Sequence, residues 1–158
     1  LTRDQTIVPR LGKKESLRND AWIFYKTWRD DGPSRVNPVL GPILVNRVGW
    51  KHITRRDRLP ERIVQSWQLL GAAKAIVTNC NTVFNLGHAR RTTFLDGNTH
   101  VIDYLGLRAS VVFPHRHQSI VQVVLRRSRL ISPGSRISER EKIWFYSVYE
   151  LRRGIGFL

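Results

Sequence analysis

Three observations predict an α+β domain in which N-terminal helices pack on one face of a twisted antiparallel β-sheet. Apolar residues recur at helical spacing in the first half of the chain, β-rich segments follow one another in the second, and turn signals separate those segments. At 158 residues, 41% of them hydrophobic, the chain is long enough to bury a core. Residues 1–14 read as a basic arm or linker, and residues 15–158 as a single domain.

Over residues 15–29, Leu17, Ala21, Phe24 and Trp28 fall at steps of four, three and four, on one face of a helix that Asp30-Asp31-Gly32-Pro33 stops. Pro38, Gly41 and Pro42 keep residues 34–42 loop-like, and residues 43–48 read as a short strand. Gly49-Trp50-Lys51-His52-Ile53-Thr54-Arg55-Arg56-Asp57-Arg58 follows, setting a titratable imidazole beside fixed positive charges. Pro60 then opens a long amphipathic helix with Ile63, Trp67, Leu70, Ala73 or Lys74, and Val77 as its buried stripe. Gly71 weakens that helix by about 1 kcal/mol relative to Ala. Residues 79–87 look like a turn-rich connection.

Residues 90–95 and 99–105 flank Asp96-Gly97-Asn98, and Asp-Gly accepts the positive φ angles of a tight hairpin turn. Residues 109–113, 119–126 and 143–151 continue the sheet, separated by Pro114-His115-Arg116-His117 and Ser132-Pro133-Gly134-Ser135. Strand alternation gives Val121, Val123, Leu125 and Arg127 one face, read as core-facing; Ile120, Gln122, Val124 and Arg126 share the open one. On the last strand Ile143, Phe145, Ser147, Tyr149 and Leu151 oppose Trp144, Tyr146, Val148, Glu150 and Arg152, and alternation alone leaves open which set is buried. Aromatic strands mostly build cores, whereas exposed aromatics between basic residues would stack bases.

Charge narrows the function. Lys and Arg number 27 against 12 Asp and Glu, and the resulting +15 exceeds what solubility asks of a small domain. A polyanionic partner follows; nucleic acid fits best, with an anionic membrane surface or an acidic protein also compatible. Between Tyr104 and Ser138 no acidic residue occurs, while Arg108, Arg116, Arg126, Arg127, Arg129 and Arg136 do. The single Cys80 cannot form an intramolecular disulfide or a cysteine-rich zinc site, and reads as a small buried hydrophobe. No run of about 18 apolar residues suggests a membrane span, and no leader is evident. A chain that starts at Leu1 and contains no Met fits a piece of a longer polypeptide, such as its C-terminal module. The phosphate-loop, His-Glu-x-x-His and zinc-deaminase patterns are absent. His115-Arg116-His117 has no nearby carboxylate and sits in an arginine excess that repels cations, so no metal is expected there.

The order of helices then sheet, with Gly49-Trp50-Lys51-His52-Ile53 before the long helix and Trp144-Phe145-Tyr146-Ser147-Val148-Tyr149 on the final strand, resembles the barnase/EndoU/colicin/RelE class of ribonucleases. The likeness runs over roughly residues 43–151 and is specifically similar to the C-terminal toxin domains of polymorphic bacterial toxins. It implies metal-free cleavage of RNA, often tRNA, without a cofactor. It also implies an acidic immunity protein as partner, and secretion or delivery into a target-cell cytoplasm as part of a larger bacterial protein.

RNA carries its own nucleophile, the 2′-hydroxyl. The enzyme must supply a base, an acid for the leaving 5′-oxygen, and cations for the phosphorane-like transition state. His52 is the expected acid or base, Arg55 and Arg56 the phosphate clamps, and Arg126 with Ser147 or Tyr146 completes the site; the part of Ser147 rests on the resemblance. Lys51, Arg58, Arg91, Arg116, His117, Gln122 and Arg127 are the further residues expected to contact RNA or its phosphates. An arginine field should lower the His52 pKa and keep the ring neutral near pH 7. Two other readings stand beside this one. The first is a non-catalytic RNA- or DNA-binding module. The second is an ADP-ribosyltransferase-type toxin using Glu139 or Glu141 and a nicotinamide cofactor.

Overall fold

The first helical segment folds as α1 (Lys14–Asp30), which buries Leu17, Ala21 and Trp28 of the expected stripe; Tyr25 is buried with them, while Phe24 is only partly buried against the same core. The computed structural model describes residues 3–5, 14–114, 118–134 and 138–151, without the side chains of 3–5, 14–16, 88–89 and 138–140. After α1 a 3-10 turn (Gly32–Arg35) leads to the short pair β2 (Val36–Asn37) and β3 (Gly41–Pro42). The buried Asn37 amide donates to the carbonyls of Val77 and Cys80 at 2.9 and 2.8 Å. Next come α2 (Arg47–Ile53), α3 (Pro60–Gln68) and α4 (Leu70–Asn79). The long strands β4 (Val83–Thr93), β5 (Thr99–Val112), β6 (Ser119–Ile131) and β7 (Ser138–Glu150) complete the α+β fold.

Strands β4 to β7 pair antiparallel in sequence order. Three residues of the expected arm form β1 (Arg3–Gln5), which runs parallel to β5 at Ser110, Val111 and Val112. The helices cover one face of the sheet. Leu105, Leu107, Ala109 and Val111 of β5, Val121, Val123 and Leu125 of β6, and Phe145 and Val148 of β7 meet α1 and α4 in one core. The expected inward face of β6 is therefore the observed one.

Four sequence expectations are corrected. Residues 43–48 do not form a strand of their own. Leu44 makes one parallel bridge to Trp144, donating to the Ile143 carbonyl at 2.8 Å and accepting from Phe145 N at 2.9 Å. The Asn46 side chain then accepts from Val48 N at 3.0 Å and caps α2, so His52 lies on a helix. The long helix from Pro60 is two helices. Leu69, at φ −94° and ψ 2°, turns the chain so that α3 packs against α1 and β7, while the more apolar α4 packs against α1, β5 and β6.

Of the expected connection over residues 79–87, residues 80–82 do link α4 to β4, but the later turn signals are spent inside the strand. Asn85 and Gly87 make a bulge in β4, with Gly87 at φ 111° and its N–H held by the Asn85 side chain at 2.9 Å. The expected segments 99–105 and 109–113 are one strand, β5. The Asp-Gly turn is where it was expected, with Gly97 at φ 87°.

How close α2 can come to β7 is set by Gly49. A Cβ there would collide with the Phe145 carbonyl oxygen and lie 2.8 Å from both Phe145 Cδ2 and Tyr25 Oη. Backbone cannot yield as a flexible side-chain tip can, so Gly49→Ala should destabilise the fold by about 1–3 kcal/mol. A lower urea midpoint with an unchanged slope is the expected readout; an unchanged midpoint would show that α2 is loosely docked.

Candidate active site

A second bulge creates the site. Leu125 pairs with Phe145 and Val124 with Ser147, leaving Tyr146 as the extra residue on β7. Alternation is reset there: Phe145 and Val148 both reach the core, and Tyr146 stands on the face away from it. The His52 ring stacks on Tyr146 with centroids 3.8 Å apart and planes 19° from parallel. Tyr104 of β5 lies 5.3 Å from the Tyr146 ring, and the Arg126 guanidinium lies 5.9 Å from its centroid.

Beside this stack an open cleft of ≈ 450 Å³ runs between the 55–65 segment and β7, lined among others by His52, Arg55, Arg58, Arg62, Ser147 and Tyr149. Arg58 is partly committed to structure. Its Nη1 donates to the Ile53 carbonyl at 2.7 Å and to Ser66 Oγ at 3.2 Å, tying the end of α2 to α3. Arg55 is exposed, with Nε 3.4 Å from Asp57 Oδ1, so most of its fork remains available.

Burial and then the charges of Arg55 and Arg58, joined by Arg126 and opposed by Asp57, lower the His52 pKa to about 4. The ring is neutral at pH 7 and can accept a proton. Its Nδ1 is buried without a hydrogen-bond partner, which leaves Nε2 as the nitrogen able to meet a ligand. Burial, followed by the charge and hydrogen bond of Tyr104, raises the Tyr146 pKa against the pull of Arg126 and Arg55, so that phenol stays protonated.

The structure thus gathers His52, Arg55, Arg58, Arg126, Tyr146 and Ser147. It does not gather the rest. Lys51 and Arg56 are exposed but do not line the cleft, and Arg91 is exposed on β4 opposite Val101. Arg127 is engaged elsewhere, gripping the buried Asp103 through Nε at 3.0 Å and Nη2 at 2.6 Å. Burial would raise the Asp103 pKa, but that hydrogen bond and the charges of Arg127 and Arg129 hold it below the ordinary value. Gln122 lies on the open side as expected, yet is only 2% exposed. Arg116 and His117 lie outside the described residues. Glu141 is exposed opposite Arg129, away from the cleft, and the Glu139 side chain is outside the described set.

Tyr104, Tyr149 and Arg62 were not anticipated as site residues. Tyr104 had a usable signal, because it faces Arg126 across β5 and β6. Among the described residues, no three His, Cys, Asp or Glu side chains gather as metal ligands, and no helix is long and apolar enough to cross a membrane.

A histidine held neutral in the folded state binds fewer protons than in the unfolded chain between about 6.5 and about 4. It therefore costs nothing above that window and costs increasing stability as pH falls through it. Nitrogen-15 NMR should show His52 titrating near pH 4, and Arg55→Ala should move the midpoint upward; a midpoint near 6.5 would mean that the ring is solvated. No family model, no curated protein and no solved structure matches the chain.

Proposed function

We propose that this chain is a metal-independent endoribonuclease. The observation that carries the reading is the neutral His52 imidazole, stacked on Tyr146 at the edge of an open cleft with Arg55, Arg58 and Arg126 around it. In this reaction His52 Nε2 takes the 2′-hydroxyl proton and O2′ attacks the adjacent phosphorus. Arg55 and Arg126 carry the charge on the equatorial oxygens, and the P–O5′ bond breaks to give a 2′,3′-cyclic phosphate and a 5′-hydroxyl. A bound phosphodiester faces the imidazole with negative charge and so offsets the arginines that depress its basicity in the free protein.

The net charge of +15 suits a structured polyanion, tRNA among cellular RNAs, and it suits an acidic immunity protein as the natural inhibitor. The biological setting in this proposal is that of a toxin module delivered into a target cell as part of a larger bacterial protein. One observation favours a second reading, a non-catalytic RNA- or DNA-binding module: a base with a pKa of about 4 is a weak proton acceptor at neutral pH.

Incubation with total bacterial RNA in EDTA separates the two. The ribonuclease reading expects discrete fragments ending in cyclic phosphate. It also expects His52→Ala to bind RNA within a few-fold of the wild type while cleaving roughly 10² to 10⁴ times more slowly. RNA that is bound but left whole by the wild type would assign the binding module instead.

A further inference from the structure

Cleavage with His52 as base leaves the 5′-oxygen in need of a proton, and the geometry points to Tyr149 as its donor, with Gln122 and Arg108 as the residues that position it. This inference rests on the ribonuclease reading and deepens it.

The direction of each hydrogen bond follows from what the groups can do. An arginine only donates, so Arg108 Nε, 2.5 Å from Gln122 Oε1, fixes which end of the amide faces it. The other end, Nε2, then faces Tyr149 Oη at 2.5 Å and must donate to it. The phenol oxygen is thereby occupied as an acceptor, and its own proton has no acceptor among the described residues. Tyr149 lines the cleft that also holds His52.

The amide that sets this polarity cannot easily turn. Gln122 is only 2% exposed. A Cβ on Gly106 would lie 3.1 Å from its Oε1, so the glycine leaves the space that the amide fills. Arg108 is held in turn over the Phe84 ring, 4.2 Å from the centroid. The other hydroxyls are less suited. Tyr146 lies under His52 and against the Tyr104 ring, and the alkyl hydroxyl of Ser147 gives up a proton less readily than a phenol does.

In the balanced step the 2′-hydroxyl proton goes to His52 Nε2, the O2′–P bond forms, the P–O5′ bond breaks, and the Tyr149 proton goes to O5′. The phenolate left behind keeps the Gln122 N–H as a hydrogen bond to charge, which favours it. Solvent returns a proton to Tyr149 and removes one from His52, so the protein is unchanged over the cycle.

Gln122→Glu is the informative variant, because it keeps the shape of the side chain and the Arg108 contact but turns the donor toward Tyr149 into an acceptor. The phenol proton would then point at the new carboxylate. The substrate is the shortest RNA oligonucleotide that the wild type cuts, made with either oxygen or sulfur at the bridging 5′ position. A 5′-thiolate leaves without protonation. On the oxygen substrate, Tyr149→Phe should lower kcat at least 100-fold and Gln122→Glu at least tenfold, with KM within about threefold for both. On the sulfur substrate both losses should shrink to about threefold or less. Equal losses on the two substrates, or no loss in Tyr149→Phe, overturn the assignment while leaving the ribonuclease reading intact. If the wild type cuts no RNA, both fall.

Discussion

A missing side chain at Gly49 is the constraint on which the rest of the cleft depends. The backbone of α2 rests on the Phe145 carbonyl of β7, at a distance no other residue would permit. Other contacts hold it in that position. Tyr25 of α1 donates its hydroxyl to the Asn46 carbonyl, the Asn46 side chain caps the helix, and Arg58 binds the carbonyl of its last residue. An imidazole at the end of a seven-residue helix thereby gains the rigidity of the sheet.

The arginines divide into those whose charge is answered and those whose charge is left open. Asp103 sits just before the long acid-free stretch and neutralises the C-terminal half of β6 through Arg127 and Arg129. Arg108 is occupied by Phe84 and Gln122. Toward the cleft, Asp57 is the only acidic residue among the described ones that accompanies Arg55, Arg58 and Arg62. The excess positive charge is thus uneven over the surface, and the field it leaves at His52 reinforces the effect of burial.

How much of this could be read from residues alone differs by element. Helix α1, the inward set of β6 and the Asp-Gly turn were legible because each follows one local rule of period or turn chemistry. Gly87 and Asn85 misled because a glycine two residues after an asparagine signals a bulge as readily as a loop. The helix break at Leu69 follows from what α3 and α4 each pack against, which no local pattern records. In the cleft, His52 and Arg55 announced themselves as an imidazole among arginines. Tyr149 did not, because the β7 bulge shifts every face assignment beyond Tyr146 by one residue. Gln122 was assigned to the right side of its strand, but the two side chains that cover it come from the neighbouring strands.

The same bulge frees one position from the demands of the ladder. Tyr146 has no partner residue across from it on β6, and it does not contribute to the core. Phe145 and Val148 secure the strand on either side. Evolution can therefore vary the platform beneath the imidazole, trading one ring for another, while the sheet keeps its register. A function carried at an inserted position can diversify faster than the fold that presents it.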